Sequence, residues 1–237
     1  MKTAVLTCST LAAAALLLTA APQAHAQGVR LGFRAGGNYS NLAGNVQNED
    51  TYNNKLGFAG GVVLNAPLTD DGFLSIQPEV LYSQKGFENK PTEYSRTLPL
   101  LGTRTEKREG KVNYNYLDVP LLLRLNADGL IFEAGPQYSY LLSANNETRT
   151  TITTNGRSET SEASNQKDVS GLRRSELGYV AGVGYQAENG LGLGLRYTGA
   201  FSDYVKPGSG DTYFNGDLKN ARHSAFQLSL SYLIPNR

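Results

Sequence analysis

Eight charged residues stand in stretches that are otherwise apolar at every second position. They are Arg30, Arg34, Arg124 and Arg196 against Glu79, Asp118, Glu133 and Glu176, four of each sign. On one face of a set of strands, such charges either line a polar pathway or ligand site, or neutralise one another inside a closed wall. An unpaired buried charge is strongly destabilising, so a balanced set is expected to pair. A structural side-chain plug is therefore the expected role. A second constellation is His223 beside Ser224, with Asp211 and Asp217 shortly before them. A His–Ser–Asp set is the minimum for acyl transfer, but a lone His next to a Ser at a strand start is usually incidental, and no enzyme is expected. Asn48, Glu49 and Asp50 lack calcium-loop spacing. There is no Walker motif and no His/Cys cluster, so neither a cofactor nor a metal is expected. Leu98, Leu100 and Leu101 form an apolar knot in a charged stretch, suited to cover an opening or to meet a partner.

The elements that would position these residues are strands. Eight segments alternate with period two. The first sets Val29, Leu31, Phe33, Ala35 and Tyr39 against Arg30, Arg34 and Asn38, and the third sets Leu74, Ile76, Val80 and Tyr82 against Ser75, Gln77, Glu79 and Ser83. The fourth opposes Leu117, Val119, Leu121, Leu123 and Leu125 to Asp118 and Arg124. The fifth opposes Phe132, Ala134, Tyr138 and Tyr140 to Glu133 and Gln137. An apolar face opposite a face of glycines and charges is the reverse of a soluble barrel, whose apolar residues point in. Gly182-Val183-Gly184 falls in such a segment, which indicates close packing rather than phosphate binding.

Short turns alternate with long polar connections. Thr69-Asp70-Asp71-Gly72, Asn126-Ala127-Asp128-Gly129 and Glu188-Asn189-Gly190 join strand pairs, whereas the stretches 41–54, 87–111, 143–174 and 202–222 are long and polar. Short turns on one rim and long loops on the other are the outer-membrane barrel pattern. Each turn length agrees with the parity of its flanking strands. The second turn is expected to bring Leu122 opposite Glu133, with Arg124 on the diagonal. Asn155-Gly156 at the end of a Thr-rich run suggests a hairpin within the third long connection, the alternative being a disordered polar loop. Pro78, Pro120 and Pro136 fall inside strands, where each removes a donor; a bulge or a local break in pairing is expected, with displaced strand boundaries as the alternative.

Residues 1–26 read as an export signal: Lys2, an apolar run from Leu11 to Leu18, and Ala24-His25-Ala26 before the cleavage point. This leaves a barrel domain over 27–237 and removes Cys8, the single cysteine, so no disulfide is expected. Twenty-two basic against 21 acidic residues give no surplus for nucleic acid. Mean hydropathy is −0.36. No apolar run beyond the signal approaches the roughly 20 residues of a spanning helix, which leaves strands as the way across a membrane.

Several stretches resemble the PorT-like outer-membrane β-barrel proteins: Gly32-Phe33-Arg34-Ala35-Gly36-Gly37-Asn38-Tyr39-Ser40, Gln77-Pro78-Glu79-Val80-Leu81-Tyr82, Tyr116-Leu117-Asp118-Val119-Pro120 and Glu133-Ala134-Gly135-Pro136-Gln137. The resemblance extends over the mature chain. It implies an all-β, eight-stranded antiparallel up-and-down barrel in a Gram-negative outer membrane, with the three strand prolines as a family feature. The namesake is associated with protein secretion, so the implied partners are outer-membrane lipid and an envelope or secretion-machinery protein. One departure is that Tyr232 is followed by Leu-Ile-Pro-Asn-Arg, where such barrels usually end on an aromatic residue. The expected function is an envelope-structural or loop-mediated interaction role, with a secretion accessory or a narrow solute channel as alternatives.

Overall fold

The computed structural model describes residues 28–45, 52–98, 102–154, 156–166, 169–208, 218 and 220–235. The proposed signal, Asn48–Asp50, Leu100, Leu101, Asp211 and Asp217 lie outside them. Nine strands follow in order: β1 (Arg30–Asn45), β2 (Tyr52–Pro67), β3 (Leu74–Leu98), β4 (Gly102–Ala127), β5 (Leu130–Thr154), β6 (Arg157–Gln166), β7 (Ser175–Gln186), β8 (Leu191–Ala200) and β9 (Asn220–Leu233). Every pairing is antiparallel. The circuit β1–β2–β3–β4–β5–β7–β8–β9 returns to β1, and β6 hangs from β5 outside it. Among the described residues the fold is thus all-β and resembles an outer-membrane barrel, with nine strands where the sequence suggests eight.

Alternation places the side chains as their chemistry requires. Leu31, Phe33, Phe58, Val80, Leu121, Phe132, Leu195 and Leu230 are exposed on the outer face, Leu230 at 65 %. Arg34, Glu79, Asp118, Arg124, Glu133 and Arg196 point inward and are buried. The turns follow their residues. Asp128 and Gly129, both at positive φ, make a two-residue hairpin between Ala127 and Leu130. That register sets Arg124 directly opposite Glu133 and Leu123 opposite Ala134, which corrects the expected Leu122–Glu133 pairing. Gly190, at φ +91, closes the three-residue turn between β7 and β8.

The prolines are accommodated by local gaps without a change of register. Between β4 and β5 the ladder steps from Pro120↔Gln137 to Leu123↔Ala134, and between β3 and β4 from Pro78↔Leu121 to Leu81↔Asp118. At the first gap the strands lie so close that a Cβ on Gly135 would fall 2.0 Å from the Leu121 carbonyl oxygen.

The principal departure concerns two of the polar connections. The stretch 87–111 is a continuation of β3 and β4, paired as far as Leu98↔Gly102. The first part of 143–174 continues β5, which turns back into β6 with Thr154 opposite Arg157; the expected hairpin is present. The upper parts of β3, β4, β5 and β6 form one four-stranded sheet beyond the closed circuit. Its ladders are polar: Ser95 and Thr105 hydroxyls lie 2.9 Å apart, Thr153 and Ser158 2.8 Å, and Lys111 Nζ stands 2.8 Å from Glu147. Hydroxyl and opposite-charge pairs of this kind are what hold a sheet together when neither face is apolar.

Candidate functional site

Arg196 on β8 sits at the centre of the lower lumen. Its Nη1 and Nη2 donate to the two oxygens of Glu79 on β3, each at 2.7 Å, while its Nε donates to Glu133 on β5. A guanidinium fork facing a carboxylate in this way is the strongest geometry available to an ion pair. Arg34 from β1 approaches Glu79 at 3.4 Å and Glu133 at 3.6 Å; Arg124 from β4 reaches Glu133 at 3.5 Å. Three arginines meet two glutamates, and neutral dipoles take further donors: Arg34 Nη1 donates to Ser229 at 3.0 Å, and Arg124 Nη1 to Gln77 at 2.7 Å. The cluster ties β1, β3, β4, β5, β8 and β9 across the interior.

Above it lies a neutral layer. Asn38 Nδ2 donates to Ser83 at 2.9 Å, Gln227 donates to Asn38 at 2.9 Å, and Gln137 donates to Ser139 at 3.0 Å. Asp118 and Glu176 belong to a second cluster at the next level. Lys85 Nζ is 2.8 Å from Asp118, the Tyr116 hydroxyl donates to Glu176 at 2.5 Å, and Glu176 meets His223 Nδ1 at 3.2 Å. Arg30 stands apart at the lower end, half-buried and 3.4 Å from Asn65. The eight predicted residues therefore divide into a group of five, a group of two and one alone. Gln77, expected on the inward face, joins the first group; Lys85 was missed, although it shares odd parity with Glu79 on β3 and so had to point inward.

The mouth is filled by a core of ordinary apolar type. Leu42, Phe87, Val112, Tyr114, Leu141, Leu172, Tyr204 and Val205 are buried together. Tyr204 packs on His223 with ring centroids 4.5 Å apart, and Tyr114 lies 5.0 Å from the same imidazole. The chain crosses this mouth at 169–174 and 203–206, joined by the Leu172↔Val205 bridge, by Arg173 N to the Tyr204 carbonyl at 2.7 Å and by Lys206 N to the Gly171 carbonyl at 2.9 Å. Position 98, at the end of the apolar knot, stands at the tip of the β3–β4 hairpin.

Among the described residues, His223 and Ser224 are not arranged for acyl transfer; Asp211 and Asp217 lie outside them. His223 turns inward, where Glu176 and Tyr116 hold Nδ1, while Ser224 turns to the opposite face with its Oγ 3.5 Å from the Asn41 carbonyl. Arginine or lysine engages Glu79, Glu133 and Asp118, and Tyr116 and His223 engage Glu176; among the described residues no group of three His, Cys, Asp or Glu could hold a metal. Gaps beside His223 and beside Arg124 measure about 10 Å³ each, no more than one water requires.

Residues 22–206 match a family model described as "Outer membrane protein beta-barrel domain". Among solved structures, the chain is similar to Ail, the attachment invasion locus protein of Yersinia pestis, at 11% identity over 86% of this chain and 98% of that one, with a TM-score of 0.40. It is also similar to Neisserial surface protein A, at 12% identity over 87% and 99%, with a TM-score of 0.39. Scores this low decide nothing about this chain. No curated protein matches the sequence.

Proposed function

We propose a function from one premise: this chain belongs to the outer membrane protein beta-barrel domain family. Its role is non-enzymatic. It is an integral outer-membrane barrel, exported by the signal at 1–26, whose surface sheet makes contacts for the envelope. The circuit of eight strands crosses the bilayer, and β6 belongs to the part outside.

Strand length carries this reading. A membrane crossing needs about 9–11 residues, yet β3, β4 and β5 run for 25, 26 and 25. About a third of each, over 90–98, 102–110 and 146–154, lies beyond the filled mouth in a polar sheet. A scaffold in lipid would not need it; a contact surface would. The apolar knot of Leu98, Leu100 and Leu101, which begins where β3 ends, is the contact patch. The charged network and the filled mouth support a closed lumen and weigh against a solute channel. The PorT-like motifs favour, as a second reading, an accessory role in secretion, in which an envelope or secretion-machinery protein meets the same sheet.

The test compares the full chain with a variant in which 90–110 and 146–168 are replaced by tight turns. Both are expected in the outer-membrane fraction, and unboiled protein should migrate faster than boiled. Only the full chain should be recovered cross-linked to an envelope protein. A soluble periplasmic product without the mobility shift, or identical cross-links from the trimmed chain, would overturn the proposal.

A further inference from the structure

The outward row of apolar side chains dips between β5 and β7. Ala134 on β5 and Ala181 on β7 are register partners, so the two smallest outward side chains of these strands stand side by side. Leu123 flanks Ala134, Tyr197 flanks Ala181, and Phe226 stands beyond Tyr197. Phe132 and Val183, themselves partners, form the lower wall. The result is a hollow of about 560 Å³ in the outer wall. Gly182 lies in its floor with Glu133 and Arg196, whose charged side chains are buried in the lumen. The upper wall is stiffened by its own rings: Tyr197 lies 5.1 Å from Phe226 and 6.1 Å from Tyr179, which lies 5.2 Å from Phe201.

Its level identifies the occupant. Ala134 is four residues beyond Leu130, and Ala181 four before Tyr185, its opposite number at the strand end. Four residues span about 14 Å along a strand, or about 11 Å along the axis at the usual tilt, within an apolar band about 25 Å tall. The hollow is thus just on the turn side of mid-bilayer. Only hydrocarbon is present at that depth.

We infer that this hollow is a binding slot for one acyl chain of a phospholipid in the periplasmic leaflet, seated on Ala134 and Ala181 and held longer than the lipid around it. The inference rests on the barrel crossing a bilayer, as proposed above.

The chain contains no tryptophan, so single reporters can be introduced without background. Phe132→Trp places one in the slot wall and Val80→Trp places one on the outer face of β3. Each variant is reconstituted with phospholipid brominated midway along its acyl chains. Phe132→Trp is expected to reach half-quenching at about a three-fold lower brominated fraction than Val80→Trp, the ratio that a modest preference over bulk lipid produces. Filling the slot with Ala134→Leu and Ala181→Leu should make the two reporters equal, with the folded gel mobility retained. Equal quenching in the unfilled protein overturns the slot and leaves the membrane barrel standing. Quenching at neither position overturns both. A Phe132→Trp reporter shielded from bromine, in protein that cross-links as a dimer, would assign the hollow to a second copy and also overturn the slot.

Discussion

The lower lumen and the mouth are enclosed by the same strands and are held together by opposite means. Below, Arg196, Arg34, Arg124, Glu79 and Glu133 meet across the interior, and the outside is apolar. Above, Phe87, Tyr114, Leu141, Leu172 and Tyr204 pack inside, and the outside is polar. On β4 the exchange is complete within one strand: Leu117, Val119 and Leu121 face out with Asp118 facing in, whereas Val112 and Tyr114 face in with Lys111 facing out. The inside takes whichever polarity the outside lacks. A strand that leaves lipid for water exchanges its faces, and the ladder carries an irregularity at the crossing. The β4–β5 register shifts at Asn115/Tyr116. On β3, Gly86 adopts φ +150, its N–H and carbonyl both bound to the Ser40 hydroxyl at 3.0 Å. A Cβ there would fall 2.0 Å from the Val112 carbonyl oxygen.

If charge holds one level and burial the other, the two should fail differently. Arg196→Met should have the largest effect. It leaves Glu79 and Glu133 buried with their best partner gone, a loss of about 3–5 kcal/mol in urea unfolding from lipid vesicles. Adding Glu79→Gln and Glu133→Gln should restore much of it; failure to restore any would mean that the lower lumen is held by packing. Leu172→Ala comes next, at about 2–3 kcal/mol. Its effect should be local: faster hydrogen exchange in 169–174 and 203–206, with the amides around Arg196 unchanged. Acceleration at both levels would show that they open as one unit. Gly182→Ala should cost about 1–3 kcal/mol through overpacking, because the new Cβ lies 2.8 Å from Arg196 Cγ; a neutral result would show that the arginine has room to move. The smallest effect belongs to the rim away from both levels. In the β2–β3 turn the Thr69 hydroxyl, then the Phe73 N–H, hold the Asp71 carboxyl below its ordinary value. A depressed folded value means that the contribution is present above the unfolded pKa of about 3.9 and is lost as pH falls through the folded one. Asp71→Asn should therefore differ slightly from the parent near neutrality and not at all in strong acid.

The same inversion explains what the sequence shows and what it hides. Outward Leu31, Val80, Leu121, Phe132 and Leu195 are legible because lipid demands a strict apolar alternation, and Arg34, Glu79, Arg124, Glu133 and Arg196 are legible as its inward counterpart. The upper halves of β3, β4 and β5 resemble loops because in water both faces of a thin sheet can be polar, which leaves no period to read. Lys85 was within reach, since the inward parity of Glu79 continues through Lys85 to buried Phe87. The Glu176–Tyr116–His223 contact joins β7, β4 and β9, and no local pattern carries information over such separations. The Arg124–Glu133 pairing was within reach, since a two-residue turn at Asp128-Gly129 fixes it.

The pairing of β1 with β9, from Gly32↔Leu233 to Asn45↔Asn220, joins opposite ends of the chain. Contacts of such wide separation form only after a large loss of chain entropy, and until this seam is zipped both strands present bare amides and carbonyls that hydrocarbon cannot satisfy. A partly synthesised chain would therefore have no stable resting place in a bilayer. Insertion must wait for the last strand, and a chain that stops short of β9 should be cleared by proteases rather than accumulate as a smaller barrel.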